Sequence, residues 1–409
     1  MEEKNMIKQL SVPTRTIMTP GPVEVEPRVL KALSTPIIGQ YDPEFFRVMG
    51  EVSTLLKTPF ETTNAQAFVV DGTSRSGLEA AMLGLVEKGD RVLVPAYGRF
   101  GYLFVELAER AGGEVKLIEK TWGETFSPEE VIAAIKEFNP KVVALVHGET
   151  STGQIQELKE IGQYCQENGH LFLVDAVATF CGAPVKVDEW GIDIAVGGTQ
   201  KCLSVPSGMS PITYNKKVED ILTSRYQMEL GLSDEHRNSD FIKSNYLDLS
   251  QIQRYWGPEH INHHTEMTSM IYGIHEGLRI VEEETLEVRY ARHSLNEKAM
   301  MAGIKAMGLN LFGNPKSKMV TVTCVEIPNG VDGEAVRSTL LNEFGVEIAS
   351  SFGSLKGKIW RIGNMGYSSR KENVLHTLGA LEAAILYHGG EIIKGEATLA
   401  AMKVYGSQK

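Results

Sequence analysis

Five short, largely apolar runs, at residues 67–70, 92–95, 115–118, 142–147 and 171–174, punctuate the first half of the chain, and segments with helical spacing separate most of them. Runs of that length and composition read as strands buried on both faces. Their alternation with helices predicts an α/β fold built on a mostly parallel sheet with helices covering both sides. In such sheets ligands gather beyond the carboxyl ends of the strands, where loops and helix N-termini converge. Asp71, His147 and Asp175 all stand at such ends.

The intervening helices are predicted over residues 76–86, 102–111 and 158–168, with a fourth starting at Ser127-Pro-Glu-Glu130. There Ser127 is the expected N-cap, Pro128 opens the helix and Glu130 reaches back to the cap. After Tyr214 the pattern weakens. A helix is expected over 216–226, a polar and mobile loop over 231–245, and a long amphipathic helix running through residues 276–281. Beyond it come helix 290–307, strand 319–326, helix 333–344, strand 359–362 and helix 371–388. Three units are expected: a proline-rich N-terminal arm over 1–25, a large domain over 26–280 and a small C-terminal α/β domain over 281–409. The arm, extended because of its prolines, is free either to cross a partner subunit or to lie on its own domain.

A formal charge of −11 argues against a nucleic-acid surface, which needs concentrated Lys and Arg. No run approaches the roughly 18 apolar residues of a membrane span, and Met1-Glu-Glu-Lys-Asn opens no signal peptide. Four scattered cysteines form no CxxC pair, as expected of reduced thiols in a cytoplasmic protein without a metal cluster.

Three segments then suggest one chemistry. Lys201 follows Gly197-Gly-Thr-Gln200 and precedes Pro206-Ser-Gly208, a setting that bends the backbone around a fixed amine. Asp175 ends a strand as a lone carboxylate, able to hold a proton on a pyridine nitrogen. Asp71-Gly-Thr-Ser-Arg75 opens a helix, where Thr73, Ser74 and the first amides can take a phosphate. Each has an ordinary alternative: an exposed loop lysine, a turn-forming aspartate, a capped helix start. Together they supply an imine-forming amine, a ring partner and a phosphate cradle, the requirements of pyridoxal 5'-phosphate.

Around these lie further candidates. One of Tyr97, Phe100 and Tyr102 is placed to stack on the cofactor ring, with core packing as the competing role. Thr150 is a candidate for the cofactor's ring oxygen or phosphate side, whereas His147 is expected to be structural. Arg361, flanked by Trp360 and Ile362, is a candidate carboxylate clamp, a surface ion pair being the alternative.

The motifs Met18-Thr-Pro-Gly-Pro22, His147-Gly-Glu-Thr-Ser-Thr-Gly153, Val174-Asp-Ala-Val177 and Gly198-Thr-Gln-Lys201 resemble the class V aminotransferase family of fold-type I pyridoxal phosphate enzymes. The resemblance implies a seven-stranded, mostly parallel sheet and a homodimer with shared active sites. By position, Lys201 would bond the cofactor and Asp175 would pair with its ring nitrogen. Phe100 would stack on the ring, with Thr150 and Val177 beside it. Thr73, Ser74, Arg75 and Gln200 would surround the phosphate, Thr265 would reach it from the neighbouring subunit, and Arg361 would bind the substrate carboxylate. The stretches Ser34-Thr-Pro-Ile-Ile-Gly-Gln40, Val187-Asp-Glu-Trp190 and Asn262-His-His-Thr265 resemble the ureidoglycine–glyoxylate branch. That implies transamination of (S)-ureidoglycine with glyoxylate in purine catabolism, with Gln40 and Asn262 recognising the ureido group. Alanine or serine as amino donor is the alternative, although alanine–glyoxylate relatives usually carry tyrosine at the Asn262 position.

Overall fold

A computed structural model describes residues 9–232 and 238–407. Its largest sheet has seven strands in the spatial order Gln66–Asp71, Met209–Tyr214, Ile194–Val196, Leu171–Asp175, Val142–Val146, Arg91–Ala96 and Glu114–Glu119. Six run in the same direction, and Met209–Tyr214 runs antiparallel to both its neighbours. Every residue of Val142–Val146 and Leu171–Asp175 is buried. A fully buried Val or Leu side chain contributes about 1.5–3 kcal/mol relative to an exposed one, which is why the central runs are nearly pure aliphatic.

Register sets the site. Val146 pairs with Asp175, and Asp175 with Val196, so the carboxyl ends of three central strands finish level. His147, Asp175 and the loop Gly197–Lys201 are thereby brought to one rim.

Ser127 and Glu130 form the reciprocal cap read from the sequence: the Ser127 amide donates to Glu130 Oε2 at 2.8 Å, and the Glu130 amide donates to Ser127 Oγ at 3.4 Å. Besides the single turn Lys57–Phe60, three helices have no counterpart in the sequence reading: Pro43–Leu55, Leu249–Trp256 and Ala397–Gly406. Asp42 and Asp248 cap the first two, and Asp42-Pro43 is a start signal of the same kind as Ser127-Pro128. Strand Met209–Tyr214 was equally hidden, because Ser210, Pro211 and Thr213 interrupt its apolar run. Of the polar segment 231–245, residues 233–237 lie outside the described residues; 238–245 forms neither helix nor strand.

Two apolar cores result, one around the large sheet and one built on Met300, Trp360, Leu378 and Leu381. Helix Thr268–Glu284 packs Ile271, Ile274, Leu278 and Val281 on the first. The chain then breaks at Thr285, at φ 66°, and helix Leu286–Ala306 carries Ala299, Met300 and Ile304 into the second. The second core also backs a three-stranded antiparallel sheet of Val322–Glu326, Ile359–Gly363 and Ala349–Ser350. The N-terminal arm joins this smaller unit of its own chain: Thr16 and Ile17 pair in parallel with Val346 and Glu347, and the Gly363 amide donates to Met18 O at 2.7 Å. Residues 19–22 continue from there toward the rim of the large sheet.

Candidate active site

Nine of the residues singled out by sequence line one cavity of about 310 Å³: Thr73, Ser74, Arg75, Phe100, Thr150, Asp175, Val177, Gln200 and Lys201. Lys201 is buried, and its Nζ donates to the carbonyl of Pro20. Gly21, at φ 104°, is there because of that amine, since a Cβ on it would overlap Lys201 Nζ. Burial, with the Arg361 guanidinium adding to it, lowers the Lys201 pKa from 10.5 to about 8. A neutral amine is therefore accessible close to neutral pH.

Asp175 is also buried, and burial raises its pKa to about 7. Its Oδ1 accepts from the Val177 amide at 2.9 Å, which fixes the carboxyl at the rim. A carboxyl in this state regains its charge when a cation is set against it.

Helix Ser74–Leu85 starts two residues before the expected Ser76, so Ser74 stands in its first turn and Thr73 at its N-cap. Thr73 does not use its side chain to cap the helix, which leaves that hydroxyl available to an anion. Ser74 Oγ lies 3.2 Å from Gln200 Nε2 and 3.3 Å from Gln200 Oε1, tying the turn to the loop before Lys201.

The three aromatic candidates separate cleanly. Tyr97 is a core residue, its hydroxyl held by the carbonyls of Val146 at 2.8 Å and His147 at 2.9 Å. Tyr102 donates to Glu119 on the exposed side, and Phe100 alone lines the cavity. Phe100 is held by a residue the sequence reading passed over: Glu149, fully buried, accepts from the Phe100 amide at 2.8 Å and from the Ser151 amide and hydroxyl at 2.9 and 2.6 Å. The missed signal was a charged residue inside a strand-end motif otherwise made of small and hydroxyl side chains. His147 is buried against Thr179, Nδ1 to Oγ1 at 2.9 Å, and desolvation drives its pKa down to about 3, so it is a neutral ring.

Arg361 does not line the cavity itself. Its Nε donates to Ser350 O at 2.7 Å and its Nη1 to Thr150 O at 3.0 Å, and its guanidinium lies 4.6 Å from the Phe352 ring centre. Nη2 and the second Nη1 proton make no hydrogen bond among the described residues. Gln40, Asn262 and Thr265 are absent from the lining of the Lys201 cavity of their own chain. The Glu266 amide donates to Gln40 Oε1 at 3.2 Å, and Asn262 Nδ2 donates to His264 O at 3.1 Å, while Asn262 lines a cavity apart from the other two. Gln40 and Thr265 line a second cavity together.

Residues 40–359 match the class V aminotransferase family. The chain belongs to this family. As a class V aminotransferase it is a pyridoxal phosphate-dependent enzyme of the fold-type I architecture. It is 56% identical to (S)-ureidoglycine–glyoxylate transaminase of Bacillus subtilis (strain 168) over 97% of both chains. It is 33% identical to alanine–glyoxylate aminotransferase of Drosophila melanogaster, over 92% of this chain and 94% of the relative. The crystal structure of ureidoglycine–glyoxylate aminotransferase from Bacillus subtilis superposes with a TM-score of 0.93, covering 98% of this chain and 100% of that one at 56% identity.

The residues of this aminotransferase fit its cofactor. A buried amine of lowered pKa, a buried carboxyl, an uncapped hydroxyl turn at a helix N-terminus and the Phe100 ring line one cavity. The lowered Lys201 pKa makes a kinetic prediction. A depressed value brings the free amine in at lower pH, so the rate at which added pyridoxal phosphate becomes attached to apoenzyme should climb with an inflection near pH 8. An ordinary lysine would place that inflection near 10.5. Stopped-flow absorbance across pH 6 to about 10 reads it out. Among the described residues, no helix is long and apolar enough to cross a membrane.

Proposed function

We propose that this aminotransferase moves the amino group of (S)-ureidoglycine to glyoxylate, releasing glycine and the 2-oxo acid of the donor. The observation that carries this reading is that the segment holding Thr265 also holds Asn262 and binds Gln40 through the Glu266 amide, although Asn262 lines a different cavity from Gln40 and Thr265. The 56% identity to a B. subtilis enzyme of that name, over nearly the whole of both chains, supports it. A ureido group offers one strong acceptor and several N–H donors, and carboxamides complement both. Gln40 Oε1 is already occupied, which leaves its NH₂ to donate; Asn262 commits Nδ2, which leaves Oδ1 to accept.

The protein acts as a homodimer in this proposal. Gln40, Asn262 and Thr265 serve the partner's cavity, consistent with their absence from the lining of their own. Bound pyridoxal phosphate supplies an aldehyde for joining amines and a ring that accepts electrons as a carbon loses its proton. Lys201 Nζ would hold the cofactor and would carry the proton taken from the donor's α carbon. Asp175 keeps a proton on the ring nitrogen, Phe100 fixes the ring plane, and Thr150 and Val177 border it. Thr73, Ser74, Arg75, Gln200 and the partner's Thr265 hold the phosphate. Arg361 grips the carboxylate of donor or glyoxylate. The chain divides for this purpose into an arm (1–25), a cofactor domain (26–280) and a small domain (281–409) that brings Arg361 to the cleft.

A donor panel with glyoxylate tests the assignment. Freshly generated ureidoglycine should exceed alanine and serine in kcat/KM. Asn262→Tyr should lower kcat/KM for ureidoglycine by about 10- to 100-fold, the cost of losing one or two buried hydrogen bonds, while alanine use changes little. Equal losses for both donors would remove Asn262 from donor selection.

A further inference from the structure

Glu149 stands behind the wall of the Lys201 cavity: Gly148 and Thr150 line that cavity, and Glu149 does not. It is fully buried, and the proposed reaction does not use it. Its Oε2 accepts from the Phe100 amide at 2.8 Å, and its Oε1 accepts from the Ser151 amide at 2.9 Å and the Ser151 hydroxyl at 2.6 Å. The Arg99 amide donates to Ser151 Oγ at 3.1 Å, so that oxygen accepts on one side and sends its proton to Glu149 on the other. Each of these bonds is donated to the carboxyl, and none calls for a proton on it.

Two parts of the site converge on this carboxyl. Arg99 and Phe100 are the first two residues of helix Arg99–Arg110, and the residue before them, Gly98, has no side chain to satisfy their amides. Glu149 and Ser151 do so from a different element. Gly98 is bare for a related reason, since a Cβ there would overlap the Glu149 side chain. On the other side, the Thr150 carbonyl accepts from Arg361 Nη1 at 3.0 Å, and the Ser151 carbonyl accepts from Ser351 Oγ at 2.9 Å. Residues 149–151 thus join the helix start that carries Phe100 to the strand Ile359–Gly363 that carries Arg361.

We propose that Glu149 is a positioning residue that seats Phe100 against the cofactor ring and, through Ser151, keeps the Thr150 carbonyl on Arg361, so that cofactor binding and carboxylate binding share one buried anchor. The first amides of a helix have no partner within it, and a helix start left unpaired in a buried place is costly. Phe100 sits at such a start, and its amide is the one that Glu149 takes. A carboxyl is suited to this place because it offers acceptors on both oxygens, one toward Phe100 and one toward Ser151. The roles of Phe100 and Arg361 rest on the reading given above; the hold of Glu149 on the two amides does not.

The test compares wild type with Glu149→Met, which fills a similar volume without a strong acceptor, and Glu149→Gln, which keeps one carbonyl oxygen. In the apoenzyme, the Phe100 and Ser151 amides should exchange with deuterium about tenfold faster in Glu149→Met, the scale of one buried hydrogen bond. Unchanged exchange would overturn the proposal. The dissociation constant of pyridoxal phosphate should rise about tenfold in Glu149→Met and less in Glu149→Gln. A Gln variant as impaired as the Met variant would show that the retained acceptor does not matter. In a Phe100→Ala background, Glu149→Met should change that constant by less than about twofold, because the two residues act as one unit. An undiminished change there would make Glu149 a support of the fold at large. In enzyme saturated with cofactor, KM for glyoxylate should rise in Glu149→Met; a wild-type KM would break the link to Arg361. If Phe100→Ala alone leaves cofactor binding unchanged, the stacking reading fails, and the exchange rates still decide whether Glu149 holds the two amides.

Discussion

Lys201→Ala should lower transamination by at least about 10³-fold, within the range that a positioned proton-transfer group contributes, and should abolish the visible absorbance of a lysine-bound pyridoxal group. Misfolding will not account for the loss. A lysine whose folded pKa lies below its unfolded value costs stability at low pH, fully so below about 8, and the cost disappears as pH approaches 10.5. Removing it at pH 7 therefore takes away a buried charge whose desolvation outweighs the hydrogen bond it donates to the Pro20 carbonyl. Apo Lys201→Ala should unfold at no lower temperature than apo wild type, and calorimetry on the two checks it. Retained turnover in Lys201→Ala would show that another group moves the proton.

Asp175→Asn should cut kcat by roughly 10²- to 10⁴-fold, again the scale of an acid–base group, with covalent attachment through Lys201 preserved. The replacement keeps an oxygen for the Val177 amide, so the rim loop stays in place. What it loses is the carboxylate that holds a proton on the ring nitrogen. Steady-state kinetics beside an absorbance spectrum separate the two effects: a normal spectrum with a low kcat is the expected pair. Loss of both would make Asp175 a structural residue.

The central strands and the loops at their ends were legible because burial on both faces demands an uninterrupted aliphatic run, and little else in the sequence looks like that. Lys201, Asp175 and the Thr73–Ser74 turn could be read for the same reason, since each ends such a run or opens the helix after it. Met209–Tyr214 escaped because Pro211 and two hydroxyl residues hide its period, and its direction depends on neighbours 130 or more residues away in one case and a short loop in the other. The carbonyl of Pro20 on Lys201 Nζ was invisible for a related reason: the arm reaches the rim only after Thr16 and Ile17 have paired with Val346 and Glu347. Glu149 could have been suspected from its motif, but that it holds the Phe100 amide depends on a loop-to-loop contact that spacing does not encode.

The most direct test of the account is to reduce the holoenzyme with borohydride, digest it and weigh the peptides. The pyridoxyl mass should appear on the peptide that contains Lys201 and on no other. Finding it on a different lysine, or finding every lysine unmodified after reconstitution with pyridoxal phosphate, would contradict the site.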